Sequence, residues 1–318
     1  MSSVSVKNVV KTYNKGEVKA VKDVSFEVQR GELFGLIGPD GAGKTSIFRI
    51  LTTVLLADSG TASVEGFDVV KDYRDIRNIV GYMPGRFSLY QDLTVEENLT
   101  FFATVFGTTI EDNYELIKEI YDQIKPFNNR RAGKLSGGMK QKLALCCALI
   151  HKPVVLFLDE PTTGVDAVSR KEFWEMLGKF KKEGITIIVS TPYMDEATLC
   201  DQIALIQNGN ILSIDTPKNI VNNFPKPLFA AKADNIYKLI QHLRKADEVE
   251  SCFPFSEYIH LTMKTDDADA VCITRIAGIN NIEGLEVKQV TPTIEDSFIR
   301  LMNENNEDEI LREKTDGK

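Results

Sequence analysis

The chain has 318 residues, 43% of them apolar, and a formal net charge of −8 from 38 basic and 46 acidic side chains. This length and apolar content suit one large globular domain or two moderate ones. The acidic balance argues against a nucleic-acid partner, because binding to a phosphate backbone requires clustered Lys and Arg.

The cysteines include no CxxC pair, so the sequence predicts neither a zinc site nor a disulfide framework and fits a reducing cytosol. The N-terminus lacks a charged region followed by an apolar one, and no signal peptide is predicted. The longest apolar run, Leu143–Ile150, is far shorter than the about 20 residues of a membrane helix. We therefore expect any membrane span to come from another chain.

Hydrophobic periodicity predicts alternating strands and helices, with short continuous apolar runs that are typical of buried parallel strands. Asn208-Gly209-Asn210 between two such runs indicates a tight hairpin turn. In chain order the predicted elements are strands Val4–Val9, Val24–Val28 and Leu33–Ile37, helix Ser46–Leu56, strand Ile79–Met83, loop Pro84–Thr94, a mostly helical stretch Val95–Lys125, helix Lys140–Ile150, strand Val154–Leu158, helix Arg170–Lys182, strands Ile185–Ser190, Ile203–Gln207 and Ile211–Ile214, helix Ile236–Arg244 and strand Tyr258–Met263.

The strongest motif is a glycine-rich segment between a predicted strand and a predicted helix, which matches GxxxxGK[ST] from Gly38 to Thr45. Its glycines let backbone N–H groups wrap a polyphosphate, and the following helix N-terminus adds partial positive charge. Lys44 is predicted to reach the β- and γ-phosphates of ATP, and Thr45 to hold Mg²⁺. The predicted ATP-binding residues of this segment are Gly38, Pro39, Asp40, Gly41, Ala42, Gly43, Lys44, Thr45 and Ser46.

A second motif is the apolar strand Val154–Leu158, which ends in two carboxylates, Asp159 and Glu160. Asp159 is predicted to bind Mg²⁺ directly or through water. Glu160 is predicted to be the catalytic residue that polarises the attacking water. Taken alone, such a pair could also be a helix cap or a solvated turn, but the phosphate loop favours the catalytic interpretation.

A third motif, Ser136-Gly137-Gly138, lies ahead of a predicted helix and forms a second anion-binding device. Two such devices in one chain suggest that each nucleotide is held between two chains, by the phosphate loop of one and the Ser-Gly-Gly of the other.

The segments LSGGMKQ (Leu135–Gln141), LDEPTTGVD (Leu158–Asp166) and STPYMDEA (Ser190–Ala197) together resemble the nucleotide-binding domain of ABC transporters. The resemblance implies an α/β fold of the P-loop NTPase type, with an antiparallel β subdomain and a helical subdomain. It implies a head-to-tail dimer in which the Ser-Gly-Gly segment and Asp166 of the D-loop act across the interface. It also places Tyr13 where such proteins stack adenine, although Tyr13 could be an ordinary strand tyrosine.

The resemblance covers roughly residues 4–220, and we expect the nucleotide-binding domain to span residues 1–220 with the helical subdomain at about 88–150. The composition changes near Thr216, and Phe224–Pro227 has the character of a linker. We expect residues 221–302 to form a small α+β accessory domain and 303–318 a charged tail that is frayed or helical only in part. Thr291–Phe298 resembles the segment that ends many drug- and antibiotic-export ATPases.

Two positions depart from the family pattern. Relatives carry Pro-Gln after the strand that ends near Met83, and that glutamine contacts Mg²⁺ and the attacking water; here Gly85 follows Pro84, and Gln91 is a poor substitute by spacing. Relatives also carry a switch histidine that bonds the γ-phosphate. Here the residue is Pro192, which has no side-chain donor and no backbone N–H. The chain's histidines, His151, His242 and His260, lie elsewhere.

Loss of one transition-state donor typically slows an enzyme about 10²–10³-fold. We therefore expect slow hydrolysis at the chain's own ATP site, formed by the phosphate loop with Asp159 and Glu160 and here called its Walker site. The favoured hypothesis is the degenerate half of a heterodimeric pair, in which Ser136–Gly138 complete the partner's competent site. An impaired homodimer is the alternative, and the presence of Glu160 argues mildly against a fully inactive site.

The leading functional hypothesis is an exporter ATPase that couples ATP binding and hydrolysis to a separate integral membrane permease. Such a subunit would be cytoplasmic and peripheral on the inner face of the cell membrane. The alternatives are a regulatory nucleotide sensor without efficient turnover, and a soluble ABC protein of translation or DNA repair. The motifs do not name a transported substrate.

Overall fold

The computed structural model describes residues 2–265, 269–278 and 282–316. The chain divides into two compact units, a larger one of Met1–Pro217 with Asp308–Lys318 and a smaller one of Lys218–Glu307, and each is described by itself. Among the described residues, no helix combines the length and the apolar character that crossing a membrane requires.

The elements of the larger unit alternate between strands and helices. In chain order they are β1 (Ser2–Tyr13), β2 (Val18–Gln29), β3 (Leu33–Ile37), α1 (Lys44–Leu51), β4 (Ser59–Val64), β5 (Phe67–Asp68), α2 (Tyr73–Ile79), β6 (Val80–Met83), α3 (Val95–Val105), α4 (Tyr114–Ile124), α5 (Gly137–Leu149), β7 (Val155–Asp159), α6 (Ala167–Lys182), β8 (Thr186–Thr191), β9 (Gln202–Gln207), β10 (Asn210–Asp215) and α7 (Pro217–Asn222), the last of which crosses into the smaller unit.

Two sheets form the framework of the larger unit. One is antiparallel, in the order β2-β1-β4-β5. The other has the order β10-β9-β3-β8-β7-β6, with β3 parallel to both β8 and β9 and β7 parallel to both β6 and β8. Every residue of β3, β7 and β8 is buried, which confirms the expectation drawn from their apolar runs.

Helix α1 lies in the core between these sheets, where the Phe48 ring meets the Phe157 ring edge-on at 5.8 Å. The prediction that this helix continues to Leu56 is wrong, because α1 ends at Leu51. Thr53 takes a left-handed φ of 61°, and the chain turns there. The side chains of Val54 and Leu56 are consequently 62% and 63% exposed.

The mostly helical stretch resolves into α3 and α4. Helix α3 begins with a capping box, because Thr94 accepts from the Glu97 backbone N–H and Glu97 accepts from the Thr94 N–H. Helix α4 buries an apolar face that includes Ile117, Ile120 and Ile124. The predicted hairpin is also present, with β9 and β10 paired around Asn208 and Gly209.

The smaller unit contains β11 (Leu228–Lys232), α8 (Ile236–Leu243), β12 (Val249–Phe255), β13 (Tyr258–Met263), α9 (Ala270–Gly278) and β14 (Glu286–Val290). Its antiparallel sheet has the order β12-β13-β11-β14, which together with the helices makes the split βαβ arrangement. Leu239, Leu243 and Ile273 pack with the sheet in one apolar core. The α+β class predicted for this region is confirmed.

The last helix, α10, runs from Ile294 to Asp316. Residues 303–316 of the predicted charged tail are therefore helical, fraying of the tail stays a prediction, and residues 317–318 lie outside the described part of the chain.

Candidate nucleotide-binding site

The carboxyl ends of the parallel strands meet at one edge of the larger sheet. Ile37 pairs with Thr191, and Asp159 pairs with Ser190. Leu158, the residue before Asp159, pairs with Met83. The phosphate loop, the two carboxylates, Pro192 and Pro84-Gly85 therefore emerge side by side. This edge is where open α/β sheets bind ligands.

The backbone of the phosphate loop requires glycine at two positions. A Cβ at Gly43, where φ is 107°, would lie 2.2 Å from the Ala20 carbonyl oxygen. A Cβ at Gly38 would lie 2.1 Å from the Ile206 carbonyl oxygen. The loop also rests on the hairpin turn, because the Gly209 N–H donates to the Ala42 carbonyl at 3.0 Å. Gly209 is a supporting residue that the motif search missed.

Lys44 lies inside the loop with only 3% of its surface exposed. Its Nζ donates to the carbonyl oxygens of Gly38 at 2.7 Å and of Pro39 at 3.0 Å. The same Nζ lies 3.2 Å from Glu160 Oε1. The lysine therefore joins the loop to the predicted catalytic carboxylate.

Ser190 holds the carboxylate segment in place. Its Oγ donates to Asp159 Oδ1 at 2.5 Å and accepts from the Glu160 N–H at 3.0 Å. Glu160 takes a left-handed φ of 49°, and Asp159 is 2% exposed. Burial, with a further contribution from the charge of Asp159, raises the pKa of nearby Tyr82 to about 12. Sequence reasoning missed Ser190, although a polar residue that ends an apolar strand was the available signal.

Gly85, the first departure from the family pattern, lies against the predicted metal ligand. A Cβ at this exposed position would be 3.1 Å from the Asp159 carbonyl oxygen and 3.8 Å from Asp159 Oδ2. The backbone carbonyl oxygen of Gln91 accepts from the Gly133 N–H at 2.9 Å, which places Gln91 beside the segment that precedes Ser136.

Pro192, the second departure, follows β8 between Thr191, whose carbonyl oxygen accepts from the Gly38 N–H at 3.2 Å, and Tyr193. Thr191 Oγ1 donates to the buried Glu196 at 2.5 Å, and the Tyr193 ring lies 4.2 Å from the Arg170 guanidinium carbon. Glu196 is a further residue that sequence reasoning missed.

Tyr13 lies at the phosphate loop, with 3.0 Å between its hydroxyl and Ser46 Oγ. Its role in adenine stacking stays a prediction. Ser136 caps α5 by accepting from the Met139 N–H at 3.4 Å. Asp166 caps α6, and hydrogen bonds from the Ser169 backbone and hydroxyl lower the Asp166 pKa.

The segment Ser136–Gly138, here called the signature, and the D-loop that leads to Asp166 are neighbours. A Cβ at Gly138 would lie 3.2 Å from Ser169 Oγ, and one at Gly137 would lie 3.5 Å from the Gly164 carbonyl oxygen. Their action across a dimer interface stays a prediction.

The residues present fit ATP and Mg²⁺. The glycine-lined loop leads into the N-terminus of α1, where backbone N–H groups favour an anion. The hydroxyl of Thr45 and the carboxylate of Asp159 are the hard oxygen donors that Mg²⁺ prefers. Lys44 supplies a cation for phosphate oxygens, which would replace its present carbonyl partners.

This fold and this site define a P-loop nucleotide-binding cassette. Residues 21–163 match the family model described as ABC transporter. The chain is 33% identical over 316 residues to the daunorubicin resistance ATP-binding protein DrrA2 of Streptomyces coeruleorubidus, covering 94% of this chain and 95% of that protein. The chain therefore belongs to the ABC transporter ATP-binding proteins.

Two further comparisons extend this assignment. The chain is 37% identical over 287 residues to the probable multidrug ABC transporter ATP-binding protein YbhF of Escherichia coli, covering 89% of this chain but only 49% of YbhF, so it spans about half the length of that relative. A dimeric ATP-binding cassette solved in a post-hydrolysis state with ADP and phosphate matches at a TM-score of 0.61 and 25% identity, over 67% of this chain and 98% of the other.

Proposed function

We propose that this chain is the ATP-binding subunit of an exporter, and that it pairs with a second cassette and a separate membrane permease. In this proposal its own Walker site binds MgATP but hydrolyses it slowly. The observation that carries the proposal is the position of Gly85, where a Cβ would lie 3.8 Å from Asp159 Oδ2. At this position the family supplies a glutamine, and this chain supplies no side chain.

Binding and hydrolysis depend on different parts of the site. The glycine loop, Lys44, Thr45 and Asp159 are all present, and they account for binding. Orienting the attacking water and stabilising the transition state require further donors beside the γ-phosphate. Gly85 and Pro192 contribute none, while Glu160 remains as a carboxylate 3.2 Å from Lys44.

The signature segment supports a contribution to a partner's site. Ser136 begins α5 with its side chain at the helix N-terminus, and Ser136 and Gly137 are exposed. An exposed Ser-Gly-Gly at a helix N-terminus can bind the phosphates of a nucleotide held by another cassette. A heterodimer gives this intact segment a competent partner site, which a homodimer would not.

A cleft of about 460 Å³ beside Met83 and Pro84 supports a membrane partner. It is lined by apolar residues of α3 and α5, and its rim includes Val54 and Val105, which are 62% and 61% exposed. Apolar side chains exposed around a cleft mark interaction sites. We assign this cleft to the permease, which would place the chain at the inner face of the membrane. The export direction rests on relatives named for drug resistance and multidrug transport.

The decisive experiment compares two variants within the purified complex, obtained by affinity capture of this chain from detergent extract. If the Walker site of this chain is slow, Glu160→Gln should leave most of the ATPase activity of the complex. Ser136→Ala changes the site that holds the partner's nucleotide, and it should remove a large part of the ATPase activity.

Equal losses from the two variants would count against the degenerate-site proposal, and capture of only a second copy of this chain would exclude the heterodimer. ATPase of the isolated chain near 1 s⁻¹, within the usual enzyme range, would also contradict it. Absence of any membrane protein from the captured complex would favour the regulatory nucleotide sensor.

A further inference from the structure

The loop between α4 and the signature carries a concentration of positive charge in a chain whose net charge is −8. Residues 125–134 include basic side chains and no acidic one. An open cleft of about 420 Å³ lies here, within the size range of small-molecule sites. Its lining residues are Pro126, Phe127, Asn129, Arg130, Arg131 and Lys134.

The backbone around this cleft is fixed by hydrogen bonds to the start of α3. The carbonyl oxygen of Arg130 accepts from the Val95 N–H at 3.1 Å. The N–H groups of Ala132 and Gly133 donate to carbonyl oxygens in the segment 91–93 at 2.8 and 2.9 Å. A cleft held in this way loses little conformational entropy when it binds a ligand.

The cations of the cleft are not neutralised by ion pairs, and one of them, Arg130, is oriented by an aromatic ring. The Arg130 guanidinium carbon lies 4.7 Å from the centre of the Phe127 ring, which holds the planar group in place. Within the part of the chain that the structure describes, Arg130, Arg131 and Lys134 form no ion pair, and the ion pairs of the flanking helices use other cations. The charge of Arg131 acts weakly on Glu97, but that carboxylate is engaged in the cap of α3.

We propose that this cleft binds a phosphate group, carried either by an anionic phospholipid headgroup or by a free phosphate. Guanidinium groups match phosphate oxygens with paired N–H donors, and a phosphate balances the charge of three cations better than a single carboxylate does. The cleft is a further anion site, and its lining residues belong neither to the phosphate loop nor to the Ser136-Gly137-Gly138 segment.

The test uses the full chain with Lys44→Ala, so that the phosphate loop does not contribute. Binding is measured to phosphatidylcholine vesicles with and without phosphatidylglycerol, and to inorganic phosphate by calorimetry. Arg130→Gln, Arg131→Gln and Lys134→Gln are combined in one variant. The matched control combines Lys71→Gln, Lys182→Gln and Lys245→Gln, which removes the same charge from exposed positions elsewhere.

We expect the cleft variant to weaken binding on the order of 100-fold, because each basic residue contributes about fivefold near an anionic surface, while the control variant changes it little. Preference for phosphatidylglycerol vesicles identifies a headgroup, and binding of inorganic phosphate alone identifies a free phosphate. The proposal fails if neither probe binds or if the control loses as much affinity.

A charge-conserving variant, Arg130→Lys with Arg131→Lys, keeps the experiment decisive if the first variant unfolds. This variant should weaken binding because it removes the paired N–H donors of the guanidinium groups. Unchanged binding would mean that only general charge attraction acts at the cleft, and it would overturn the proposal.

Discussion

Lys44 and Glu160 form an ion pair across the candidate site, with 3.2 Å between Nζ and Oε1. One residue comes from the phosphate loop and the other from the turn after β7, so this contact joins the binding and catalytic halves of the site. Because Lys44 Nζ also donates to the Gly38 and Pro39 carbonyl oxygens, phosphate oxygens would have to replace partners that the protein itself provides.

Lys44→Ala should abolish tight MgATP binding. Hydrogen bonds to charged groups contribute about 1.5–3 kcal/mol, so we expect the Kd for MgATP to rise at least about tenfold. Equilibrium binding of a fluorescent ATP analogue measures this change. Lys71→Ala, at an exposed position, is the control. Unchanged affinity in Lys44→Ala would mean that the nucleotide binds elsewhere.

Ser190→Ala should destabilise the larger unit. The buried Ser190 hydroxyl donates to Asp159 Oδ1 and accepts from the Glu160 N–H, which also donates to the Ser190 carbonyl oxygen at 3.0 Å. The alanine variant therefore leaves Asp159 Oδ1 without this donor, and an unpaired buried polar group costs about 1–3 kcal/mol. Trp174 is the chain's one tryptophan and lies in α6 of this unit, so its fluorescence during urea unfolding reports the change. Ser59→Ala, at an exposed position of β4, should have no comparable effect. A similar shift for both variants would contradict the bridging role.

Much of the fold could be predicted because its signals are local. The apolar runs at Leu33–Ile37 and Val154–Leu158 identify strands that are buried on both faces, and the structure places them within one residue at each end. The phosphate loop was equally readable, because its glycines meet backbone atoms that tolerate no Cβ. The end of α1 could not be predicted in this way, because the helix-like spacing of apolar residues continues past the turn at Thr53.

Other residues at the site could not be read from local sequence. Ser190 matters because β8 pairs with β7 in a register that sets it opposite Asp159. Glu196 matters because it accepts from both Thr162 and Thr191, which lie on different segments. Such roles depend on contacts between distant parts of the chain, and one sequence without its fold does not contain them.

Asp58 should make the stability of the antiparallel sheet depend on acidic pH. A side-chain hydrogen bond from Lys11, followed by bonds from the Thr12 hydroxyl and N–H, lowers the Asp58 pKa from 3.8 to about 2. Because the pKa is lower in the folded state, the stabilisation is complete above the unfolded value and is lost as the pH falls towards the folded one.

Urea midpoints for wild type and Asp58→Asn, followed by Trp174 fluorescence, should therefore differ by a constant amount above about pH 5. The difference should shrink as the pH falls from about 4 towards 2. Asp92→Asn, at an exposed carboxylate for which no such bonds are present in the described structure, serves as the matched control. A difference that grows at low pH would have the wrong sign for this mechanism.

Gly85→Gln combined with Pro192→His should accelerate hydrolysis at this chain's own Walker site. The exposed position 85 leaves room for the longer side chain, although a Cβ there requires the Asp159 carbonyl, at 3.1 Å, to shift by a few tenths of an ångström. Histidine at position 192 restores a side-chain donor and a backbone N–H. Since one such donor typically contributes about 10²–10³-fold, turnover should rise at least about 10²-fold, and each single substitution should give less.

The measurement is ATPase in a complex whose partner site has been inactivated, with Gly85→Ala plus Pro192→Ala as the control that changes both backbone positions without adding donors. If the control gains as much, backbone conformation limits the reaction rather than the missing side chains; if neither gains because the wild-type site already turns over near 1 s⁻¹, the site is not degenerate.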